Sequence, residues 1–175
     1  MDDIFVPNFT FDFDTATAII RSTTIPVDSH LMVANVDQIA IDYAQAGSAS
    51  VTFHAEAVKD IRATAQGIRA AGARAALALK PATPIHEYSD YLNDLDMFLI
   101  MTVEPGFGGQ AFIEAMLLKI ASTRKLIGDR PIWLQVDGGI SLETIERAAA
   151  AGADTFVAGS AVFKAEDPAE MVRSL

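Results

Sequence analysis

The chain alternates short apolar runs with amphipathic segments along nearly its whole length, and this alternation restricts the fold more than any other feature. The apolar runs predict strands at Pro26–Val33, Ser48–Glu56, Arg74–Lys80, Asp96–Val103, Ile132–Asp137 and Asp154–Ala158. The amphipathic segments predict helices at Asp14–Ser22, Val36–Ala46, Val58–Ala71, Ile85–Asn93, Phe112–Ile127, Leu142–Ala151 and Pro168–Leu175. Strand–helix alternation of this kind indicates parallel strands joined by right-handed crossovers.

The glycines favour a barrel over an open sheet. Three predicted helices end in Ala-Gly, at Gly47, Gly72 and Gly152, where glycine readily adopts a left-handed backbone. An open doubly wound sheet usually carries its glycine fingerprint after the first strand, whereas the glycine clusters here come late, as in the phosphate site of a (β/α)₈ barrel. We therefore predict an α/β fold, a single (β/α)₈ TIM barrel over residues 1–175. Met1–Val6 adds only a strand end to the predicted strands, so the barrel is expected to be N-terminally incomplete.

Composition excludes several classes of function. The 175 residues are 51% hydrophobic, which argues against disorder. Cysteine is absent, which excludes disulfides, thiolate nucleophiles and Cys-ligated zinc. A net charge of −10 argues against a broad surface for nucleic acid or anionic lipid. No apolar run reaches the roughly 18 residues of a membrane span, and the N-terminus lacks the basic region of a signal peptide. We expect a cytoplasmic protein.

Three glycine-bearing loops follow predicted strands, at the edge where barrels carry their active sites. They are Glu104–Gln110 with Gly106, Gly108 and Gly109; Asp137-Gly138-Gly139-Ile140-Ser141; and Ala158-Gly159-Ser160. Glycine lets backbone N–H groups approach an anion, and a helix opened by Gly-Ser offers a phosphate its N–H groups and dipole. Each loop alone is also compatible with an ordinary turn or helix cap. Together the loops predict a phosphate site, with Asp137 as an acid/base or a metal ligand and Ser141 as a helix N-cap.

Two histidines end predicted strands. His30 lies on the same side of its strand as Asp28, which could supply the carboxylate that usually supports a metal-binding histidine. The alternative for His30 is a histidine buried in the core. His54 ends the next strand, where it suits either the mouth of the barrel or an ordinary loop.

Six motifs in this order resemble the ribulose-phosphate 3-epimerase family. They are Phe5-Val6-Pro7-Asn8, Asp28-Ser29-His30-Leu31-Met32, Phe53-His54-Ala55-Glu56-Ala57, Met101–Gln110, Val136-Asp137-Gly138-Gly139 and Gly159-Ser160. The resemblance implies the exchange of D-ribulose 5-phosphate and D-xylulose 5-phosphate at C3, in the pentose phosphate pathway. It also implies a divalent metal held by two His and two Asp, the two Asp serving as the acid/base pair. Such a donor set suits Zn, Fe(II), Mn or Co.

The resemblance carries roles over to individual residues. His30 matches a metal ligand beside the substrate, and Asp137 matches a ligand that is also a catalytic acid/base and contacts substrate. The phosphate contacts match Gly106, Phe107, Gly108, Gly109, Gly138, Gly139, Gly159 and Ser160. The family's other His and Asp would precede residue 1, as would strand 1, helix 1 and most of strand 2. Asp2 matches a non-ligand position, so neither Asp2 nor Asp3 is expected to replace them. Residues 1–175 expressed alone are therefore expected to be inactive and prone to aggregate.

Two other functions remain open. One is 3-epimerisation of a hexulose phosphate such as allulose 6-phosphate, because the glycine loops do not distinguish pentulose from hexulose phosphates. The other is a non-catalytic sugar-phosphate-binding protein. Because homo-oligomers are common in the family, we also expect a homo-oligomer.

Overall fold

The computed structural model describes all residues, 1–175, and contains six strands and seven α-helices. The strands are β1 Asp28–Leu31, β2 Ser50–His54, β3 Arg74–Leu79, β4 Met97–Met101, β5 Trp133–Asp137 and β6 Thr155–Val157. The α-helices are α1 Phe13–Ser22, α2 Val36–Ala46, α3 Ile61–Ala70, α4 Met116–Ile127, α5 Ile145–Ala150, α6 Ser160–Phe163 and α7 Pro168–Ser174, and a 3₁₀ helix spans Ile85–Tyr91. The strands follow chain order in one sheet, β1 to β6.

The chain forms two compact units. The first contains residues Met1–Ala78 and Asp90–Met97, and the second contains Leu79–Ser89 and Phe98–Leu175. In the first unit β1 pairs with β2 in parallel, Asp28 opposite Ser50, and β2 pairs with β3 in parallel, Ser50 opposite Arg74. In the second unit β5 pairs with β6 in parallel, Gln135 opposite Thr155.

Strand burial explains why the apolar runs predicted the strands well. Every residue of β2 and β4 is buried, and so is every residue of β3 after Arg74. Parallel strands that are covered on both faces read as continuous apolar runs, as these do. The structure therefore confirms all six predicted strands. Each is shorter than predicted, and the fifth ends at Asp137 as predicted.

Helix ends follow local capping chemistry. Asp12, Asp60 and Asp167 each accept a backbone N–H from the first turn of α1, α3 and α7. The predicted left-handed glycines are also confirmed, because Gly47 and Gly152 have φ of 113° and 115° after α2 and α5. No helix is long and apolar enough to span a membrane.

Four predicted helices were wrong in part. The helix predicted from Val58 begins at Ile61, after its N-cap Asp60. The segment predicted at Ile85–Asn93 is a 3₁₀ helix that buries only Ile85, so it has no apolar face to stabilise an α-helix. The helix predicted from Phe112 begins at Met116, because the Ile113 N–H donates to the carbonyl of Thr102 instead. The helix predicted from Leu142 begins at Ile145, after a turn described below.

One further expectation needs correction. Met1–Val6 contains no strand end: both Ile4 and Phe5 donate backbone N–H bonds to Oδ1 of Asp2, which turns the chain, and only an isolated antiparallel bridge joins Asp2 to Phe9. The six strands agree with the expected incomplete barrel, because a complete (β/α)₈ barrel has eight.

Candidate functional site

The loops after β4 and β5 begin side by side in the second unit. The Thr102 N–H donates to the carbonyl of Asp137 at 2.8 Å, and the Thr102 hydroxyl donates to the carbonyl of Gly138 at 2.5 Å. Thr102 is fully buried, so both bonds are shielded from water. This threonine therefore fixes the backbone that follows the Asp137 carboxylate.

Gly138 and Gly139 occupy positions that exclude a side chain. Their φ values are 121° and 66°, in the region that favours glycine. A Cβ on Gly138 would lie 2.4 Å from Cγ2 of Val103, and one on Gly139 would lie 2.5 Å from the backbone nitrogen of Phe112. The close approach of Gly139 to the backbone at Phe112 joins this loop to the loop that follows β4.

The turn after Gly139 is closed by Thr144. The Thr144 hydroxyl donates to the carbonyl of Gly139 at 2.8 Å and accepts the Ser141 N–H at 2.9 Å. The prediction that Ser141 is the N-cap of the helix that follows was therefore wrong. Ser141 starts a turn, and Thr144 is the N-cap of α5. Ser141 was predicted because serine is a good N-cap and the helix was expected to begin directly after the glycines.

The glycine loop after β4 is held by a side chain within it. Nε2 of Gln110 donates to the carbonyls of Glu104 and Phe107, at 2.6 and 2.8 Å. Gly106 is buried, whereas Phe107, Gly108 and Gly109 are exposed. The loop thus presents its Phe107–Gly109 backbone to solvent, as binding a ligand from solution requires.

The third glycine segment lies against this loop. A Cβ on Gly108 would lie 3.5 Å from Oγ of Ser160, and one on Gly109 would lie 3.6 Å from the same oxygen and 3.5 Å from Nζ of Lys164. Gly159 is exposed and has open space around its Cα, and the following helix α6 is a single turn. A hydroxyl, an ammonium group and glycine backbone therefore meet at one place, which suits an anion.

Asp137 is the last residue of β5 and is half-buried. Its main chain is fixed by Thr102 and leads directly into Gly138-Gly139. The second unit thus combines a carboxylate at a strand end with glycine loops suited to an anion. A carboxylate in such a place can exchange a proton with a bound molecule.

The first unit contains a histidine pair. Nε2 of His30 lies 2.9 Å from Nε2 of His54, and Nδ1 of His54 lies 3.2 Å from Oε2 of Glu56. Because a carboxylate only accepts, a neutral His54 donates to Glu56 through Nδ1 and accepts from His30 through Nε2. His54 is fully buried, and the ring of Phe5 lies 4.9 Å from it.

The carboxylate of Asp28 is also bound on this sheet. Ser50 donates a hydroxyl bond to Oδ1 of Asp28 at 2.6 Å, and Thr52 lies 3.5 Å from the same oxygen. No group of three or more His, Asp or Glu side chains in the structure could hold a metal ion. Of the four metal ligands that the resemblance implies, residues 1–175 contain only His30 and Asp137, an imidazole and a carboxylate that suit such an ion.

Asp2 has a structural role. Its Oδ2 accepts the Ala34 N–H at 2.7 Å, while Oδ1 accepts those of Ile4 and Phe5. Partial burial acts to raise the pKa of Asp2, but these backbone bonds hold it below its ordinary value. Asp2 is thus an ionised anchor for the N-terminal turn.

A cavity of about 490 Å³ lies in the first unit. His30 and Asp28 contribute to its wall, but most of the lining is apolar and includes Phe11, Phe13 and Ile19. The cavity therefore differs in character from the polar glycine loops of the second unit.

Sequence reasoning missed Lys164 and the His30–His54 contact. Lys164 follows Ser160 by four residues, which places the two on one side of a helical turn, and this spacing was the available signal. The histidine contact follows from register: His30 lies opposite Thr52, so His54 is the next residue of β2 on that side. Neither register nor the direction of Lys164 could be read from composition.

A solved structure shares the fold. 3-Hexulose-6-phosphate synthase from Salmonella typhimurium superimposes with a TM-score of 0.68 over 92% of this chain and 76% of that chain, at 22% identity. The likeness supports a barrel-type (β/α) fold for the alternating strands and helices. At this identity it concerns the fold alone.

Curated relatives are much closer in sequence. Ribulose-phosphate 3-epimerase of Mycobacterium bovis is 49% identical over 177 aligned positions, which cover all of this chain and 77% of that protein. Ribulose-phosphate 3-epimerase of Serratia marcescens is 47% identical over 95% of this chain and 81% of that protein. The profile of the ribulose-phosphate 3-epimerase family matches residues 1–163. The chain therefore belongs to the ribulose-phosphate 3-epimerase family.

Proposed function

We propose that this protein is an isomerase that epimerises D-ribulose 5-phosphate to D-xylulose 5-phosphate at C3. The observation that carries the proposal is the placement of the Asp137 carboxylate at the end of β5, directly before Gly138-Gly139. Membership of the epimerase family supports the same reaction. The fold assigned to it is the ribulose-phosphate-binding type of (β/α)₈ barrel.

The chemistry requires a base beside C3. The C2 ketone acidifies the C3 proton, and removal of that proton gives an enediolate that can be reprotonated on the opposite face. We assign to Asp137 the proton transfer on one face of C3, where it donates the proton in the forward direction. Thr102 fixes the backbone at Asp137, and a carboxylate held in place transfers protons efficiently.

The glycine loops are assigned to the substrate phosphate. Backbone N–H groups of Gly106, Phe107, Gly108 and Gly109, of Gly138 and Gly139 and of Gly159 are the proposed donors, together with the Ser160 hydroxyl. The protein has a net charge of −10, so groups close to the phosphate, and not the overall charge, must supply the attraction. The exposed Gly108 and Gly109 beside Ser160 support this assignment.

The family uses divalent metals, and we assign His30 and Asp137 as metal ligands, with His30 also beside the substrate. Zn, Fe(II), Mn and Co all suit imidazole and carboxylate donors. Residues 1–175 do not form a complete set of metal ligands. The proton transfer assigned to Asp137 and the phosphate binding assigned to the glycine loops are therefore argued from these residues without the metal. Metal content measured on the purified natural protein, before and after chelation, identifies the ion.

Deuterium exchange at C3 tests the reaction directly. In D₂O, the natural protein is expected to exchange the C3 proton of D-ribulose 5-phosphate well above a metal-only blank, as followed by ¹H NMR. Asp137→Asn should lower this rate by about 10²–10⁴-fold, because one acid/base group is lost. Asp129→Asn is the control, since Asp129 is exposed and makes no side-chain bond.

The outcomes separate the assignments. No exchange by the natural protein would refute the epimerase function, and exchange unaffected by Asp137→Asn would refute the role of Asp137. Residues 1–175 alone, assayed in parallel, test the expectation that they are inactive. Faster exchange of allulose 6-phosphate than of ribulose 5-phosphate would transfer the assignment to a hexulose phosphate.

We further propose that the protein is a cytoplasmic homo-oligomer. The exposed apolar side chains around the cavity of the first unit support association between copies. Sedimentation of the natural protein and cell fractionation test these two points.

A further inference from the structure

Lys164 directs its ammonium group toward the exposed glycine loop. Nζ lies 3.5 Å from where a Cβ of Gly109 would stand, and Oγ of Ser160 lies 3.6 Å from the same point. Lys164 follows the last residue of α6, one helical turn after Ser160. The two side chains therefore flank the same stretch of backbone.

The ammonium group of Lys164 has no partner within the protein. The structure contains no hydrogen bond or ion pair to Nζ of Lys164, and the side chain is exposed. In contrast, Lys119 donates through Nζ to the carbonyl of Lys80 at 2.6 Å. Lys164 is thus a cation whose charge is available to a ligand at the glycine loop.

A phosphate monoester is the ligand that this combination fits. It carries a charge of about −1.5 to −2 at pH 7 and three strong acceptor oxygens. Backbone N–H groups and a hydroxyl provide neutral donors only, and the protein as a whole is acidic. A single ammonium group beside them supplies the one full positive charge that the loop otherwise lacks.

We propose that Lys164 is a substrate-binding residue that contacts the phosphate group of the sugar phosphate through Nζ. The inference rests on the proposed function, since it places the substrate phosphate at Gly108, Gly109 and Ser160. Lys164 contacts the end of the substrate remote from C3, so it strengthens binding of the substrate and of the transition state alike. Such binding lowers KM and leaves kcat nearly unchanged.

The test compares three variants of the natural protein. Lys164→Gln removes the charge, and Lys164→Arg retains it. Lys125→Gln removes another exposed lysine, on α4, that has no bonded partner. The probes are inorganic phosphate, with binding followed by calorimetry, and D-ribulose 5-phosphate in steady-state kinetics. Unfolding midpoints in urea establish that the variants remain folded.

We expect Lys164→Gln to weaken phosphate binding and to raise KM by about three- to tenfold, the loss of one exposed charge-assisted bond. We expect kcat to stay within about twofold of its original value, because the lost contact stabilises the bound substrate and the transition state equally. Lys164→Arg should recover most of the affinity, and Lys125→Gln should match the wild type. High salt should reduce the difference between Lys164→Gln and the wild type.

Equal effects of Lys164→Gln and Lys125→Gln would overturn the proposal, as would a wild type that binds no phosphate. A loss in kcat alone would also overturn it, because a phosphate contact would not produce that pattern. If phosphate binding depends on Lys164 while no epimerisation occurs, the lysine assignment stands and the proposed reaction fails. The two proposals therefore fail in distinguishable ways.

Discussion

Gly139 is the residue where a side chain would disturb the candidate site most directly. A Cβ there would lie 2.5 Å from a backbone atom, the nitrogen of Phe112, which cannot move aside as a flexible side chain can. The backbone of Gly139 also has a φ of 66°, which disfavours any residue with a Cβ. Both effects act on the turn that follows Asp137.

We predict that Gly139→Ala destabilises the protein by about 2 kcal/mol or more, from overpacking and from the strained backbone. The same change should lower activity, because the loop after β4 must shift. Urea unfolding followed by circular dichroism measures the free energy of unfolding.

Gly159→Ala is the matched control for stability. Gly159 has a φ of −80°, and a Cβ there would meet nothing within 4 Å. We expect its free energy of unfolding to stay within about 0.5 kcal/mol of the wild type. Equal losses of stability in the two variants would contradict the prediction, because they would show that the close contact with Phe112 does not require glycine at position 139.

At the scale of elements, Asp37 joins two helices. It lies in the first turn of α2, and its carboxylate accepts backbone N–H bonds from Lys59 and Asp60, just before α3 begins. The hydroxyl of Thr64 lies 3.4 Å from the same carboxylate. Partial burial acts to raise the pKa of Asp37, but these bonds bring it below its ordinary value.

We predict that Asp37→Ala lowers the free energy of unfolding at pH 7 by about 1 kcal/mol, because the N–H groups of Lys59 and Asp60 lose the carboxylate that accepts them before α3. The pKa of Asp37 is lower in the folded state than in the unfolded chain, where it is about 3.9. Its contribution is therefore complete above that value and is lost as pH falls through the folded-state pKa. The difference between wild type and Asp37→Ala should accordingly shrink in acid.

Urea unfolding at neutral and acid pH measures this difference. Asp129→Ala serves as the control, because Asp129 is exposed and makes no side-chain bond. A difference that stays constant down to the lowest pH would contradict the assigned role of the Asp37 carboxylate.

Elements differ in how far their sequence determines them. β4, Met97–Met101, is apolar throughout and could be predicted because its burial on both faces requires such a run. The start of α4 could not, since the Ile113 N–H is taken by the Thr102 carbonyl, a contact from a distant part of the chain. The strand end predicted at Met1–Val6 was wrong because the Asp2 carboxylate binds the N–H groups of Ile4 and Phe5 and turns the chain there.

The candidate site shows the same division. The glycine loops could be found from sequence, because positions that exclude a Cβ must be glycine, as at Gly138 and Gly139. The bond between His30 and His54 depends on strand register, which side-chain composition does not reveal. Lys164 was missed because a surface lysine is common, and only its direction gives it a role.

At the scale of the whole molecule, apolar side chains remain exposed around the cavity of the first unit. Phe9 is 61% exposed, Phe11 44%, Phe13 42% and Ile19 47%, and all four line the cavity. A contiguous apolar surface of this kind is typical of sites that associate. Burial of one such side chain stabilises a complex by about 1.5–3 kcal/mol.

We predict that residues 1–175 self-associate through this surface. The double substitution Phe11→Ser and Ile19→Ser should weaken association at least about tenfold, since two apolar side chains are lost. Sedimentation velocity over a range of concentrations measures the effect.

Leu118→Ser is the control, because Leu118 is 77% exposed on α4 and does not line the cavity. It should leave sedimentation unchanged. Association that is equally strong in the double variant would place the contact elsewhere on the protein.

The order of the strands has a consequence for synthesis. β1 pairs with β2, and β2 with β3, so each strand finds its partner in the segment that leaves the ribosome next. Chains are released N-terminus first, and pairing between sequence neighbours needs no wait for distant segments. The sheet of the first unit, which carries His30, can thus begin to assemble while Asp137 and the glycine loops after β5 are still being translated.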